Sequence, residues 1–214
     1  ARLSLMIGAD KQKLFLGSLG LLAPTAIELI EGPTAKPQFP LNWSEISTMT
    51  ISYGHGISGS PLHLAAAYST MVNGGTFITP TLLKQPFIEV GPRVISKNVS
   101  NQLQAMLRDV VSTPDGTANF GEVVGYSVGG KTGTAEKPSK TGGYDDEKVL
   151  ATFASFFPSR DPKYVLIVTL DEPEDRVGVE PRRTAGYTAV PVAAEIIRRV
   201  APVSYTHLRA HETI

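Results

Sequence analysis

The spacing of apolar residues predicts two amphipathic helices in the first half of the chain. One begins at Ser60, which can cap a helix and is followed by a proline, and it ends before Gly74. The other follows Ser96 and covers about 97–112, with apolar residues along one side. A shorter amphipathic stretch over 9–21 predicts a further helix.

The period of the pattern changes in the last third of the chain, where strands are predicted. The strand candidates are 126–136, 149–157 and 164–170, and the first two are separated by a polar loop over 138–147. Only a short link joins the last two candidates, which favours a hairpin and antiparallel pairing. A final helix is predicted over 187–200. Helices, then three strands, then a helix packed on them predict an α+β fold with an antiparallel sheet.

The composition narrows the functional classes without naming one. The 214 residues include 20 Lys plus Arg and 20 Asp plus Glu, so the formal net charge is zero. This balance gives no overall positive field for nucleic acid, so no nucleic-acid partner is expected. Cysteine is absent, which excludes disulfides, thiolate zinc sites and a cysteine nucleophile. Neither a metal nor a cofactor is expected.

The two ends of the chain are unusual, and the first of them leads us to expect a piece of a larger protein. The chain begins at Ala1 with a helix-like apolar pattern already under way. At the other end, residues 203–214 change character after Pro202, and this segment is interpreted as a non-native tail or a disordered extension. Its two histidines, His207 and His211, are therefore given no role. The domain is expected to occupy 1–202.

Glycines and hydroxyl side chains are concentrated in the segment 128–134. Its central residues are Lys131, Thr132, Gly133 and Thr134. Three glycines within five positions are unusual inside a strand, and they allow a ligand to approach the backbone. The ammonium and hydroxyl groups can hold a carboxylate, and exposed strand N–H groups can stabilise an oxyanion. The alternative is a glycine-rich edge strand with a solvated lysine.

The Lys-Thr-Gly-Thr sequence at 131–134 resembles the third motif of penicillin-binding proteins and serine β-lactamases. The resemblance covers essentially 1–202 and is greatest to the class B, division-type peptidoglycan D,D-transpeptidases. It is carried, in order and spacing, by the segments 53–58, 60–65, 72–75, 93–96, 171–173, 184–186 and 190–192. It implies a partial transpeptidase domain of the penicillin-binding and β-lactamase-like fold.

The resemblance also implies roles for residues. Lys131 and Thr132 would bind the terminal carboxylate of a D-Ala-D-Ala stem peptide or of a β-lactam, and Gly133 would permit close approach. The Thr134 N–H would form half of the oxyanion hole, and its hydroxyl could also touch the carboxylate. The family acts by acyl transfer in septal cell-wall synthesis. A periplasmic domain anchored in the inner membrane, with division-machinery membrane proteins as partners, is implied in the same way.

One departure from the family pattern concerns the nucleophile. The family uses a Ser-x-x-Lys motif for nucleophile and base, and no such sequence occurs in these 214 residues. Ser96 begins a formal Ser-x-Asn, the second motif, but it lies too close to Lys131 and is better explained as a helix cap. Both motifs are therefore expected to precede Ala1, and this chain by itself is expected to be inactive.

Two other functions remain open from the sequence. The chain could be a non-catalytic module that binds D-Ala-D-Ala peptides or division partners, or a β-lactamase or D,D-carboxypeptidase on the same fold. Other chemically suggestive residues are interpreted as structural or solvated. They are His55, His63, the acidic run Asp145, Asp146 and Glu147, and the pair Arg182 and Arg183.

Overall fold

The computed structural model describes residues 1–87, 90–139, 142–178 and 180–203. The chain divides into two units, Ala1–Ser100 and a second that begins at Asn101. Among the described residues, every helix is too short or too polar to cross a membrane. Residues 204–214, which are most of the segment interpreted as a non-native tail or disordered extension, lie outside the described residues.

The first unit is helical, as the sequence predicts. The second predicted helix begins at its serine cap, where the Val99 N–H donates to Ser96 Oγ at 3.2 Å. The helix predicted over 9–21 ends at Ser18, just before Gly20 adopts a positive φ of 77°. The helices are α1 (Arg2–Ile7), α2 (Ala9–Ser18), α3 (Glu45–Ile51), α4 (Pro61–Val72) and α5 (Lys97–Ser112), which extends past the end of this unit.

His63 has a structural role at the beginning of α4. The backbone N–H of Ser60 donates to His63 Nδ1 at 3.2 Å, and Ser60 Oγ accepts from the His63 N–H. With Nδ1 accepting, Nε2 carries the proton and donates to the Ala23 carbonyl at 2.9 Å. The side chain is buried. The structural interpretation of His63 is therefore confirmed, since the imidazole completes a capping box and holds a distant loop.

The second unit contains an antiparallel sheet with the strand order β1-β2-β3, followed by α6. The predicted α+β class is confirmed. The elements are β1 (Gly129–Pro138), β2 (Tyr144–Phe157), β3 (Tyr164–Asp171) and α6 (Ala189–Val200).

Three predicted boundaries in this unit are wrong. The strand predicted from 126 begins at Gly129, because Tyr126 instead forms an isolated bridge with Val123. The loop predicted over 138–147 is shorter, because the ladder continues past a bulge between Glu136 and Lys137, where Lys137 pairs with Asp145. Polar side chains do not prevent strand pairing in a solvent-exposed hairpin, so the polar sequence alone wrongly predicted a loop for this part of β2. The final helix begins at Ala189, since a turn in which the Tyr187 N–H bonds the Thr184 carbonyl precedes it.

The core of this unit lies between the sheet and α6. Phe153 at the centre of β2 is fully buried, and Val190 and Ile197 of α6 are buried in the same cluster. β1 pairs only with β2 among the described strands, so it forms one edge of the sheet. This places the Lys-Thr-Gly-Thr segment on an edge strand that is supported from one side.

Candidate functional site

A cavity of about 540 Å³ lies beside β1 in the second unit. Because side chains alternate along a strand, Thr132 and Thr134 project to the same side, and both line this cavity. The remaining lining comes from the turn after α5 and from the turn before α6. These residues are Pro114, Asp115, Gly116, Thr117, Asn119, Phe120, Thr184, Ala185, Gly186 and Tyr187.

Thr132 is linked to two neighbours. Its hydroxyl lies 2.9 Å from the hydroxyl of Thr117, and either one can donate. Lys131 Nζ donates to the Thr132 carbonyl at 2.8 Å and lies 3.4 Å from Thr132 Oγ1. Lys131 is exposed and is not among the residues that line the cavity. Strand alternation therefore puts the two threonine hydroxyls at the cavity wall, and the contacts with Thr132 keep the Lys131 ammonium close to that wall.

Thr134 is fixed by the turn before α6. Its Oγ1 accepts the backbone N–H of Ala185 at 3.1 Å, and Ala185 is fully buried. An oxygen that accepts from one side still has its own hydrogen to donate. The Thr134 hydroxyl is thus oriented by the protein and can donate to an anionic ligand in the cavity.

The three glycines of β1 differ in how much space a side chain would have. A Cβ on Gly129 would lie 2.5 Å from the ring of Phe156, and one on Gly130 would lie 2.6 Å from the Ala154 carbonyl oxygen. Packing against β2 therefore requires both glycines. A Cβ on Gly133 would meet nothing closer than 4.0 Å. The described protein atoms leave this position open, which is the arrangement that a ligand approaching the backbone needs.

Thr117 also lines the cavity and is not among the residues predicted from the sequence. Besides its contact with Thr132, its carbonyl oxygen lies so close to Gly186 that a Cβ there would approach to 2.6 Å. The two turns that line the cavity are therefore tightly apposed. The segment containing Thr117 looks like an ordinary turn in the sequence, and no single-sequence signal identifies it.

His55, Arg182 and Arg183 are not among the residues that line the cavity. The His55 ring lies 5.3 Å from that of Tyr53, in the first unit. Within the described ranges, no three His, Cys, Asp or Glu side chains are grouped to hold a metal. Arg182 and Arg183 pair with Asp175 and Glu174 respectively, so both are part of a local ion-pair network.

This network perturbs the carboxyl groups next to the cavity-lining turn. Hydrogen bonds from Arg176 and Arg183 lower the pKa of Glu174. The Val177 N–H, and then Arg182, lower the pKa of Asp175. Both carboxylates stay charged and hold the arginines in place.

Comparison with known proteins places this geometry in a family. Residues 1–198 match the penicillin binding protein transpeptidase domain. The chain is 34% identical over 210 residues to the "Probable peptidoglycan D,D-transpeptidase FtsI" of Caulobacter vibrioides, covering 94% of this chain and 35% of that protein. It is 32% identical to "Stage V sporulation protein D" of Bacillus subtilis, covering 92% of this chain and 31% of that protein. The chain thus spans about a third of these curated relatives.

Solved structures agree. The transpeptidase domain of penicillin-binding protein 3 from Burkholderia pseudomallei superposes with a TM-score of 0.86 at 28% identity, covering 98% of this chain and 62% of that one. Penicillin-binding protein 3 from Mycobacterium tuberculosis, complexed with ampicillin, gives 0.81 at 25% identity, covering 100% of this chain and 50% of that one. The resemblance carried by the strand motif and its neighbours is confirmed: the chain belongs to the penicillin-binding protein transpeptidase domain family.

Proposed function

We propose that the chain is the C-terminal part of a division-type, serine-dependent peptidoglycan D,D-transpeptidase domain, and that it supplies the wall that binds the substrate carboxylate. The observation that carries the proposal is that the hydroxyls of Thr132 and Thr134 both line the cavity, with the Thr134 hydroxyl oriented by its bond to the Ala185 N–H. Family membership supports acyl transfer as the reaction.

In this mechanism a serine outside these 214 residues attacks the carbonyl between the two D-Ala residues of a stem peptide. The serine oxygen forms an ester with the carbonyl carbon as the C–N bond breaks, and the terminal D-Ala leaves with the proton of the serine. The amine of a second stem peptide then attacks this ester, the bond to the serine oxygen breaks, and the serine regains a proton from the amine. Thr132 and Thr134 hold the terminal carboxylate by hydrogen bonds, and Lys131 adds positive charge beside them. The Thr134 N–H donates to the oxyanion, an interaction that can contribute about 3–4 kcal/mol in acyl transfer.

A β-lactam would occupy the same wall, because it carries a carboxylate next to a reactive carbonyl. The solved relative complexed with ampicillin supports this part of the proposal. We further propose that the whole protein acts in septal cell-wall synthesis, with division-machinery membrane proteins as partners. The curated relative named as a probable peptidoglycan D,D-transpeptidase FtsI supports the transpeptidase activity. We propose that the whole protein places this domain in the periplasm, anchored in the inner membrane.

The test separates binding from catalysis. We expect the 214-residue chain to bind N-acetyl-D-Ala-D-Ala reversibly in calorimetric titrations, and Thr132→Val to abolish the heat of binding. Thr169→Val is the matched control, since Thr169 lies on the far strand β3, where its hydroxyl bonds that of Thr152 on β2, and it does not line the cavity. Equal binding by wild type and Thr132→Val would contradict the proposed site.

Catalysis is tested with a fluorescent penicillin and denaturing gel electrophoresis. Because no Ser-x-x-Lys occurs in the sequence, we expect no covalent labelling, while an intact penicillin-binding protein labels in the same experiment. A labelled serine in this chain would show that it carries its own nucleophile and would contradict the assignment.

A further inference from the structure

The turn after α5 brings a further hydroxyl to Thr132. The Thr117 hydroxyl lies 2.9 Å from the Thr132 hydroxyl, although the two residues are 15 positions apart in the chain. Lys131 Nζ donates to the same Thr132 oxygen over 3.4 Å. In the proposed function the substrate carboxylate binds to Thr132. A group that is hydrogen-bonded to Thr132 therefore influences how that hydroxyl meets the substrate.

The backbone on both sides of Thr117 is fixed against the end of α5. The Ala118 N–H donates to the Val110 carbonyl at 3.1 Å, and Ala118 is fully buried. On the other side, a Cβ on Gly116 would collide with the same carbonyl, so this close approach requires glycine. The Thr117 hydroxyl is thus presented to β1 by a turn that is already ordered, and a ligand does not have to order it.

The hydrogens on the two hydroxyls restrict how they can bond. A hydroxyl has one hydrogen to donate and two lone pairs with which to accept, whereas an ionised carboxylate can only accept. If Thr132 donates its hydrogen to the carboxylate, it cannot also donate it to Thr117. The bond between the two threonines then requires Thr117 to donate and Thr132 to accept. In the opposite direction, Thr132 would turn its lone pairs towards the carboxylate and repel it.

We propose that Thr117 is a positioning residue that makes Thr132 a hydrogen-bond donor, and that this direction of bonding selects a carboxylate over an uncharged chain end. The inference rests on the proposed function. Hydrogen bonds run from the Thr117 O–H to Thr132 Oγ1 and from the Thr132 O–H to the carboxylate, and successive bonds in such a chain strengthen one another. The contact from Lys131 favours the same direction, because an ammonium can only donate.

A C-terminal amide is the ligand that tests this direction. Its NH₂ group needs an acceptor, and Thr132 offers none while Thr117 and Lys131 both donate to it. Without the Thr117 hydroxyl, Thr132 regains a lone pair that the amide can use. Loss of Thr117 should therefore weaken binding of the acid more than binding of the amide, whereas a purely structural role would weaken both equally.

The experiment titrates the full 214-residue chain with N-acetyl-D-Ala-D-Ala and with the same dipeptide ending in an amide. The quantity compared is the ratio of the dissociation constant of the amide to that of the acid. We expect Thr117→Val to lower this ratio about tenfold, as for loss of one hydrogen bond next to a charged group. Thr117→Ser retains the hydroxyl and should keep the ratio of wild type. Thr117 is exposed, so neither substitution disturbs the core.

Thr113→Val is the matched control, because Thr113 lies in the same turn, donates its hydroxyl to the Asp109 carbonyl and does not line the cavity. It should leave the ratio unchanged. Circular dichroism checks that each variant is folded, and Thr117→Ala replaces the valine variant if that variant does not fold.

Four outcomes would contradict parts of this account. An unchanged ratio in Thr117→Val, or a serine variant that behaves like the valine variant, would overturn the positioning role. Binding of the acid that survives Thr132→Val and is lost in Thr117→Val would place the carboxylate on Thr117 itself, and would overturn it too. Failure of wild type to bind the acid would overturn the proposed function together with this inference.

Discussion

The hydroxyl oxygen of Thr134 accepts the backbone N–H of Ala185 at 3.1 Å, joining the edge strand β1 to the turn before α6. The Thr134 hydroxyl thus makes a structural hydrogen bond through its oxygen and can still donate its own hydrogen to a substrate. Residue 134 is expected to affect stability and binding separately, because the oxygen serves the first and the hydrogen serves the second.

Thr134→Val tests this double role. The substitution keeps the shape but leaves the Ala185 N–H without its acceptor, so we expect the free energy of unfolding to fall by about 1–3 kcal/mol. Thr134→Ser retains the hydroxyl and should lower the free energy of unfolding much less. Urea unfolding followed by circular dichroism measures both. Equal stability of the valine and serine variants would show that the bond contributes nothing.

Gly130→Ala and Gly133→Ala form a matched pair on one strand. At Gly130 the new methyl group would lie 2.6 Å from a backbone oxygen of β2, so overpacking should cost about 1–3 kcal/mol of unfolding free energy. At Gly133 it meets no atom closer than 4.0 Å, so stability should not fall. The family resemblance implies that the ligand approaches the backbone of β1 at Gly133, and on that basis binding of N-acetyl-D-Ala-D-Ala should weaken in Gly133→Ala. Unimpaired binding there would mean that the open space serves no ligand.

Arg108 supports the beginning of β1 from α5. Its guanidinium donates to the Val128 carbonyl at 2.8 Å and to both carboxylate oxygens of Glu122. Lysine cannot reproduce this forked geometry, so Arg108→Lys should lower the free energy of unfolding by about 1 kcal/mol.

Glu122→Gln is the control for Arg108→Lys, because it breaks only a partly exposed ion pair and should cost less. Thermal unfolding of both variants provides the comparison. If Glu122→Gln is the more destabilising substitution, then the ion pair, and not the bond to Val128, is the important interaction.

Alkaline pH should destabilise the first unit through Tyr68. Burial raises the pKa of Tyr68 to about 12, against an unfolded value of 10.0. Between these values the unfolded chain releases the phenol proton and the folded chain keeps it. The stabilising contribution is therefore present below pH 10 and is lost as the pH rises towards 12. The single tryptophan, Trp43, lies in this unit, so its fluorescence can follow unfolding.

Tyr68→Phe should flatten the alkaline fall in stability, since phenylalanine does not titrate. Lys137, whose pKa is raised by Asp171 and then Glu172, contributes a fall in the same direction in both proteins and cancels in the comparison. Identical pH profiles for wild type and Tyr68→Phe would contradict the assignment to this phenol.

His63 should be needed for the stability of the first unit and not for binding. Replacement by alanine removes the capping bond and the bond to Ala23 and leaves a cavity, so we expect a loss of about 2–4 kcal/mol. His63→Gln, which can still bond the Ser60 N–H, should recover part of it. Trp43 fluorescence in urea measures the difference. Loss of peptide binding in a folded His63→Gln variant would reopen a functional role.

The elements of the fold could be predicted where local chemistry determines them. Ser60 and Ser96 mark helix starts because a hydroxyl can satisfy a free backbone N–H there, and both helices begin where predicted. The polar beginning of β2, from Tyr144, could not be predicted. Its pairing depends on the partner strand β1 and not on its own side chains.

In the candidate site too, some features could be predicted from the sequence and others depend on tertiary contacts. The sequence by itself determined the Lys-Thr-Gly-Thr strand, because glycines among hydroxyls and an ammonium are unusual in any strand and match a family motif. Only the tertiary structure decided that Gly129 and Gly130 serve packing while Gly133 is open. It alone brought Thr117, Phe120 and Tyr187 to the cavity. Such contacts join residues far apart in the chain, and their energy depends on distances that the folded backbone sets.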